Sequence, residues 1–482
     1  MNTNIRNIEP IRVWNNFADL NAVPRASKKE ERVIAFMVEF GKKLGLETIV
    51  DPIQNVIIKK PATKGMENRK TIVMQSHLDM VHQKNNDTIF DFDTEGIKMY
   101  VDGDWIKADG TTLGADNGLG VASIMTILES TDIAHPAIEA LFTIDEETGM
   151  TGALGLQAGY LTGEILLNLD TEDDDEIGVG CAGGVDVTAT KSYITESVSS
   201  STTAFKICVK GLQGGHSGMD IHKGFGNANK LMNRILYALN DYIQIAEIDG
   251  GSLRNAIPRE SNAIIVSNKE ELNTAFETIK TEIFNEYITT EKDLDISITE
   301  TDKTLSVLSK SDQKTLLNTI YAAHNGVYRM SPDIDSLVET SNNVARVIVK
   351  NGNIKISCLT RSSVDSGKWD LANMLKATFE MGGFTINFSG EYPGWKPNPS
   401  SPILKVMSSL YEKLFNKEPK VLACHAGLEC GILGTNYPEM DMISFGPTIR
   451  GAHSPDERVC ISSTQKYWEF LIEVLKNIPE KK

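Results

Sequence analysis

Three apolar runs in the first part of the chain each end directly in a histidine or an acidic residue. The runs at 71–76, 140–144 and 165–169 have the length and composition of strands that are buried on both faces of a sheet. Carboxylates and imidazoles at strand ends are the groups from which an open α/β sheet builds its binding crevice. The pattern therefore predicts that these polar side chains meet at one edge of a sheet.

Helix-like segments alternate with these runs, which predicts an α/β layered domain. An amphipathic helix is predicted at 29–46, and a second helix at 119–128 begins just after Asp116. This alternation of strands and helices is typical of an α/β fold, and it continues up to the sequence Cys-Ala-Gly-Gly at 181–184.

The middle of the chain has the pattern of an inserted domain. Residues 186–192 and 202–211 alternate like half-exposed strands, and a similar set of strands and helices recurs downstream, so two α+β units of similar size fit this region. A polar motif near the C-terminus, at 451–455, has to return to the first domain to meet the others. We therefore predict one domain formed by 1–183 and 384–482, with residues 184–383 inserted as a second, α+β domain.

Composition excludes several classes of protein. At 482 residues the chain exceeds what one hydrophobic core usually holds. Its formal net charge of −17 argues against nucleic acid or an anionic membrane as a partner, since both bind basic surfaces. The N-terminus lacks a signal-peptide pattern and no apolar run approaches membrane-spanning length. The six cysteines are scattered without a Cys-x-x-Cys pair, so we predict a cytoplasmic protein without disulfides.

Five short motifs contain the residue types that bind a pair of divalent metal ions. They are Ser-His-Leu-Asp-Met at 76–80, Gly-Ala-Asp-Asn-Gly at 114–118, Asp-Glu-Glu-Thr-Gly at 145–149, Asn-Leu-Asp-Thr-Glu at 168–172 and Gly-Ala-His-Ser-Pro at 451–455. Such a site needs carboxylate oxygens and imidazole nitrogens, ideally with one carboxylate shared by both ions. The expected ligands are His77, Asp116, Glu147, Asp170 and His453.

Two further acids lie next to these ligands. Asp79 follows His77 by two residues, close enough to hold the second imidazole nitrogen and fix the tautomer. Glu146 adjoins Glu147 but should point another way, so that one glutamate can bind metal while the other takes a proton.

Each expected ligand also has a plainer interpretation. A single histidine such as His77 is a surface residue more often than a ligand, and Asp116 could simply cap a helix. Glu146 and Glu147 could be first-turn acids favoured by a helix dipole. Asp170 begins an acidic run that could be a solvated loop, and His453 could be a turn residue before Ser-Pro. The five motifs together favour the metal site.

The order His-x-Asp, Asp-Asn, Glu-Glu, Asp, His resembles the metallopeptidase family that includes carnosinases, aminoacylases and tripeptidases. Within it, the flanking sequences at 76–81, 112–118, 180–184, 212–218 and 425–431 are similar to the bacterial aminoacyl-histidine dipeptidases, and the likeness covers essentially the whole chain. The resemblance implies an α/β catalytic domain with a mixed sheet flanked by helices. It also implies that Asp116 bridges the two ions, that Glu146 is the general base and that Asp79 orients a histidine.

The resemblance further implies that the insertion is a lid domain, for which two ferredoxin-like units are one expected architecture. His216 lies in a glycine-framed loop and is expected to stabilise a tetrahedral oxyanion, although an ordinary loop histidine is the alternative. Arg361 follows a strand and is expected to bind the C-terminal carboxylate of a dipeptide, with a surface ion pair as the alternative. For most remaining histidines, a group that includes His425, structural or exposed roles are expected, although the glycine-flanked loop at 425–431 is also a candidate lining of the substrate site. Family members commonly have a cis peptide after the bridging aspartate, so we expect one at Asp116–Asn117.

We therefore expect a cytoplasmic two-metal dipeptidase that hydrolyses short peptides such as Xaa-His dipeptides, with water activated by Glu146. Zinc is the expected metal, and manganese or cobalt remain alternatives because mixed carboxylate and imidazole ligation suits all three. An N-acyl-amino-acid deacylase or a tripeptide aminopeptidase on the same core remains open, as does a catalytically inactive metal-binding scaffold. A cysteine hydrolase using Cys424 or Cys430 is a more distant alternative. The oligomeric state is also open, between a homodimer through the lid and a single chain whose long lid supplies both halves of the site.

Overall fold

The computed structural model describes residues 5–199, 201–268, 270–302 and 306–481. The chain divides into two compact units: unit 1 comprises residues 1–180, 397–423 and 428–482, and unit 2 comprises residues 181–396 and 424–427. Each unit is described by itself below.

The strands are numbered in chain order. They are β1 (Glu47–Val50), β2 (Val56–Lys60), β3 (Ile72–His77), β4 (Met99–Asp102), β5 (Trp105–Ala108), β6 (Ile138–Thr143), β7 (Ile165–Asn168), β8 (Glu176–Cys181), β9 (Gly183–Ser192), β10 (Thr195–Ser197), β11 (Thr203–Lys210), β12 (Gly215–His216), β13 (Gln244–Gly250), β14 (Ala256–Ile257), β15 (Ser261–Ser267), β16 (Asp295–Glu300), β17 (Ser306–Leu308), β18 (Gly326–Met330), β19 (Val338–Lys350), β20 (Asn353–Ser362), β21 (Thr385–Tyr392), β22 (Lys420–Cys424), β23 (Asp441–Ser444), β24 (Ile449–Arg450) and β25 (Arg458–Cys460).

The α-helices are numbered in the same way. They are α1 (Ile11–Leu20), α2 (Glu31–Lys43), α3 (Ala115–Glu129), α4 (Glu146–Gly149), α5 (Thr151–Gly155), α6 (Ala228–Ala238), α7 (Leu272–Tyr287), α8 (Lys310–Ala322), α9 (Asp365–Met381), α10 (Pro402–Phe415), α11 (Glu429–Asn436) and α12 (Ile461–Lys476). Short 3-10 helices lie at Ile5–Asn7 and Ile221–Lys223. Among the described residues, no helix combines the length and apolar character needed to cross a bilayer.

Unit 1 is built on an eight-stranded mixed sheet with the order β1-β2-β6-β3-β7-β23-β8-β22. The central strands β6, β3, β7 and β23 are parallel, whereas β2 and β8 pair antiparallel with this central group. Every residue of β3, β6 and β7 is buried. The three predicted buried strands and the mixed α/β fold class are therefore confirmed.

Because the central strands are parallel, their carboxyl ends lie at the same edge of the sheet. β3 ends at His77, which is in register with Thr143 at the end of β6, and Gln75 of β3 is in register with Asn168 at the end of β7. The acidic motifs follow β6 and β7 directly. This edge is where an open α/β sheet binds ligands.

Unit 2 contains two β-α-β-β-α-β arrangements joined edge to edge in one antiparallel sheet. One is formed by β11, α6, β13, β15, α7 and β16, with the strand order β16-β11-β15-β13. The other is formed by β9, α8, β19, β20, α9 and β21, with the order β19-β20-β9-β21, and β13 pairs with β19 to join the two. Both have the element order of a ferredoxin-like fold, which confirms the expected architecture.

The second predicted boundary, between 383 and 384, precedes strand β21. That strand pairs antiparallel with β9 from Thr385 onwards, and unit 2 continues to Lys396. The partner of β21 is almost two hundred residues earlier in the chain and leaves no local signal in the sequence.

Helix α9 shows how local sequence produces the core of unit 2. Its buried residues Leu371, Ala372, Leu375 and Phe379 recur at the spacing of one helical face. Phe379 packs edge to face against Phe384, with ring centroids 6.0 Å apart. The helix ends at Met381, whose side chain is 83% exposed, before the Gly382-Gly383 turn.

Replacing Phe379 by alanine is expected to lower the free energy of unfolding of unit 2 by about 3–5 kcal/mol, because it leaves a cavity under α9. The matched control Met381→Ala, on the same helix but exposed, should change it by less than about 0.5 kcal/mol. Chemical denaturation followed by circular dichroism measures both. Equal effects of the two substitutions would contradict this account of the core.

Candidate metal centre

Two groups of potential metal ligands share the carboxylate of Asp116. One group joins this carboxylate to His77 and Asp170, and the other joins it to Glu147 and His453. Within each group, one ligand atom from each residue lies within 4.8 Å of the others. The structure thus brings together the five predicted ligands, which come from distant parts of the sequence.

The two oxygens of Asp116 face different histidines. Its Oδ1 lies 3.2 Å from Nε2 of His77, and its Oδ2 lies 3.2 Å from Nε2 of His453. Asp170 Oδ1 lies 3.6 Å from the same nitrogen of His77, and Glu147 Oε2 lies 2.9 Å from His453 Nε2. A carboxylate that offers one oxygen to each group is the arrangement that a bridged ion pair requires.

Cations fit this donor set on electrostatic grounds. Burial, together with neighbouring Asp116 and Glu147, raises the pKa of Asp170 to about 6, even though His77 opposes the shift. Hydrogen bonds to Asp116 and Glu147 raise the pKa of His453 to about 11. The Oε1 atom of Glu147 is buried without a hydrogen-bond partner. Several carboxylates thus compete for protons and donors around two imidazoles, and divalent cations would neutralise this excess negative charge.

Asp79 holds both a histidine and the turn that carries the two glutamates. Its carboxylate accepts hydrogen bonds from the backbone amides of Glu146 and Glu147, at 3.0 and 3.3 Å, and from the Ser27 hydroxyl at 2.7 Å. Nδ1 of His77 is 3.4 Å from this carboxylate, but only 3.0 Å from the backbone carbonyl oxygen of Asp79. The imidazole is therefore oriented by both groups of one residue, of which only the carboxylate was expected.

Glu146 is the first residue of α4 and lies beside the metal-ligand groups. One of its carboxylate oxygens forms a further group with His77 and Glu147, within 4.8 Å. Burial raises the pKa of Glu146 well above its ordinary value; His77 opposes this shift, and nearby acids, including Asp170 and Glu429, reinforce it. A raised pKa next to the ligands suits a carboxylate that accepts and returns a proton.

The peptide bond between Asp116 and Asn117 is cis, as the resemblance led us to expect. The side-chain amide of Asn117 donates to the backbone carbonyl of Leu169 at 2.8 Å and to the carboxylate of Asp170. The residue after the shared carboxylate therefore also fixes the position of another ligand.

Glu457 anchors the loop that delivers Asp116, a role that the sequence did not reveal. Its two carboxylate oxygens accept hydrogen bonds from the backbone amides of Leu113, Gly114, Ala115 and Asp116, at 2.7–3.2 Å. These amides lead into the N-terminus of α3, where a negative charge is favoured. Glu457 lies four positions after His453, and this proximity in sequence is the one signal that could have identified it.

Arg25 holds the same loop from within the protein. Its guanidinium donates to the carbonyl oxygens of Leu78, Asp79 and Gly114. Gly114 has a φ of 70°, and a Cβ at that position would lie 2.5 Å from Nη2 of Arg25, so the position requires glycine. No local motif surrounds Arg25, and its role follows only from the fold.

A buried polar chain runs beneath the metal-ligand groups across the central strands. Gln75 donates to Glu429 at 2.6 Å and accepts from Asn168 at 2.5 Å, and Ser444 donates to Asn168 at 2.5 Å. Thr143 also donates to Glu429, at 2.6 Å. The chain ties the carboxyl ends of β3, β6, β7 and β23 together, and its members were not expected from the sequence.

In unit 2, the structure brings His216 and Arg361 together. Nδ1 of His216 accepts hydrogen bonds from the backbone amides of Gly218 and Met219, at 3.2 and 3.0 Å, so the ring proton lies on Nε2. Burial, with a further contribution from Arg361, lowers the pKa of His216 to about 4, so the ring is neutral at pH 7. Nη2 of Arg361 lies 3.4 Å from this Nε2, and Nη1 donates to the Tyr392 hydroxyl at 2.8 Å.

Comparison with known proteins places the whole chain in one family. The sequence model of peptidase family M20/M25/M40 matches residues 73–477. The cytosol non-specific dipeptidase of Escherichia coli strain K12 is 44% identical over 479 residues, which are 98% of this chain and 99% of that protein.

Solved structures agree with this result. The aminoacylhistidine dipeptidase of Vibrio alginolyticus is similar with a TM-score of 0.92 and 43% identity, over 99% of both chains. The aminopeptidase PepT of Bacillus cereus shares the fold, with a TM-score of 0.58 and 17% identity over 98% of this chain and 99% of that chain. The family resemblance drawn from the motifs is confirmed, and the chain belongs to peptidase family M20/M25/M40.

Proposed function

We propose that this protein is a metal-dependent dipeptidase that hydrolyses the peptide bond of short peptides, Xaa-His dipeptides among them. The observation that carries the proposal is the Asp116 carboxylate, which presents one oxygen to each of two groups of metal-binding side chains. The names of the Escherichia coli and Vibrio alginolyticus relatives, both dipeptidases, support the substrate class.

His77 and Asp170 would hold one ion, Glu147 and His453 the other, and Asp116 would be shared. When bound, such a pair supplies Lewis acidity for a carbonyl oxygen and lowers the pKa of water. Zinc is the metal we propose, because two imidazoles with carboxylates form a mixed set that suits it; manganese or cobalt would suit the same set.

Glu146 would act as the general base. Its carboxylate takes a proton from the attacking water and later returns it to the departing amine, so that one residue serves both halves of the reaction. Asp79 supports this role because it holds the Glu146 amide and the His77 ring at once. His216, with its proton on Nε2, would donate to the oxyanion that forms at the attacked carbonyl.

Arg361 would bind the C-terminal carboxylate of the substrate. The side chain is 4% exposed, and a buried guanidinium without an anionic partner is costly. In the described part of unit 2, Asp186 interacts with Arg361 but pairs with Arg254 at 3.2 Å. Asp220, which contacts His216, pairs with Lys223 at 2.7 Å. A substrate carboxylate would satisfy the Arg361 guanidinium.

The alternatives that the sequence left open are not favoured. A deacylase or a tripeptide aminopeptidase finds no support from the two relatives above, each at least 43% identical and named as a dipeptidase. An inactive scaffold would not need Glu146 beside an intact set of ligands. A cysteine hydrolase is disfavoured because Cys430 is fully buried and the Cys424 thiol donates a hydrogen bond to the backbone carbonyl of Ala426.

The protein is proposed to act in the cytoplasm. The six cysteines, all within the described residues, form no disulfide, and the name of the Escherichia coli relative describes that enzyme as cytosolic. A homodimer through the inserted domain stays a prediction.

Glu146→Gln should reduce kcat for dipeptides by about 100- to 10,000-fold while metal content stays unchanged, because the variant cannot accept a proton. Hydrolysis of dipeptides, tripeptides and N-acetyl amino acids, with metal content by elemental analysis, tests this and the substrate class together. The exposed Glu469→Gln on α12 is the matched control and should keep wild-type rates. Near-wild-type turnover by the Glu146 variant, or hydrolysis of acetylated amino acids alone, would contradict the proposal.

Glu457→Gln should weaken metal binding by about 10- to 100-fold, because an amide group would face backbone N–H donors in place of one oxygen and loosen the Asp116 loop. Competition with a chelating dye measures this affinity, and circular dichroism verifies the fold. Glu469→Gln again provides the control. An unchanged affinity would show that the loop does not depend on this carboxylate.

A further inference from the structure

Among the described residues of unit 2, several buried polar atoms lack a hydrogen-bond partner, and three of them lie on residues gathered around Gly218. They are Nε of Arg361, Nδ1 of His425 and the hydroxyl of Ser217. The three residues are 4%, 5% and 1% exposed, so water does not solvate these groups freely. An unsatisfied buried polar atom is costly, and such a concentration indicates a missing ligand.

Gly218 shows that these residues form one cluster. A Cβ on Gly218 would lie 1.8 Å from the backbone oxygen of His425 and 3.2 Å from Cδ of Arg361, and the Gly218 amide donates to His216. Strand register supplies a second link, because Ser341 of β19 lies opposite Arg361 of β20. The Ser341 hydroxyl lies 2.7 Å from Nε2 of His425.

Ser341 determines which nitrogen of His425 carries the proton. Burial lowers the pKa of His425 to about 3, with further contributions from Arg361 and His216, so the ring is neutral and holds one proton. Ser341 is 1% exposed, and within the described residues its hydroxyl has no other hydrogen-bond partner in a side chain. We therefore assign the Ser341 hydroxyl as the donor to Nε2, an assignment that places the proton of His425 on Nδ1.

The cluster consists of donors that converge without an acceptor. Among the described residues, Nε of Arg361 and Nδ1 of His425 are N–H groups without a hydrogen-bond partner. Nε2 of His216, which carries the ring proton, lies 3.4 Å from Nη2 of Arg361. One of these groups is a permanent cation. A carboxylate, with two oxygens and several lone pairs, is the chemical group that satisfies such a set.

We propose that His425 is a further substrate-binding residue, which donates its Nδ1–H to the C-terminal carboxylate of the peptide beside Arg361. Ser341 is a positioning residue that fixes the required tautomer. The inference rests on the proposed dipeptidase function and assigns a specific binding role to a histidine whose loop the sequence suggested only in general terms as a lining of the substrate site.

Two substitutions of His425 distinguish a substrate-binding role of this residue from a merely structural one. His425→Gln reaches Ser341 with its longer side chain but has no donor at the position of Nδ1, whereas the shorter His425→Asn keeps an N–H donor near that position. For free dipeptides, His425→Gln should lower kcat/KM by about 10- to 100-fold, mainly through KM, as expected for a lost hydrogen bond to a charged group. For the same dipeptides as C-terminal amides, the change should stay within about threefold.

Compared with His425→Gln, His425→Asn should restore most of the preference for the free acid over the amide. Ser341→Ala should reduce this preference, whereas Ser341→Thr should keep it. Arg361→Ala is the positive control, and the exposed His222→Gln of the same unit is the negative control. A merely structural role would lower the rates for free acid and amide together. If the wild type hydrolyses dipeptides but His425→Gln lowers kcat/KM equally for the free acid and the amide, the inference is overturned and the dipeptidase function stands.

Equilibrium binding decides the inference even if the proposed function fails. Calorimetry measures the Kd of a free dipeptide and of its C-terminal amide on Glu146→Gln protein, with and without His425→Gln. The proposal predicts that His425→Gln weakens binding of the free acid selectively. Equal binding of acid and amide by the parent protein, or no binding of either, would overturn it.

Discussion

The Asp116 carboxylate is the point on which the rest of the site depends. Its oxygens lie 3.2 Å from two histidines that are more than three hundred residues apart in sequence. Holding one short side chain between such distant partners requires a rigid loop. Glu457 holds this loop by accepting hydrogen bonds from four backbone amides, and Arg25 holds it by donating to the carbonyl of Gly114. Buried charges that form hydrogen bonds to backbone on both sides give this loop few alternative conformations.

The parallel strands of unit 1 explain why the remaining ligands converge on that carboxylate. His77 ends β3, while the acids at 145–147 and 170 follow β6 and β7, so all lie at the same edge of the sheet. The polar chain through Gln75, Asn168 and Ser444 links these strand ends beneath the ligands. Its members are fully buried, so their hydrogen bonds fix the register of the strand ends as well as stabilising them. In unit 2, the N–H donors of His216, Arg361 and His425 favour an anionic ligand, whereas the carboxylates of unit 1 favour cations.

The sequence predicted the metal ligands better than it predicted the residues that hold those ligands in place. His77, Asp116 and Asp170 were identifiable because each follows a recognisable run or lies in a specific short motif. Arg25, Glu457 and Glu429 were not, because each acts through partners far away in the chain that no local pattern reveals. The pairing of β21 with β9 was not predictable either, because the two strands are almost two hundred residues apart in the chain. The sequence suggested only that the loop containing His425 could line the substrate site; the role of His425 itself depends on Ser341 and Gly218, which are its neighbours only in the fold.

The most direct test of this account is the number of divalent ions that each chain binds. Elemental analysis after zinc loading and desalting should give two ions for the wild type and fewer than two for Asp116→Asn, which loses the shared negative charge. Dipeptide hydrolysis should disappear when a chelator removes the metal and return when zinc is restored. A wild-type protein that binds no divalent ion and hydrolyses dipeptides equally well after chelation would contradict the central claim.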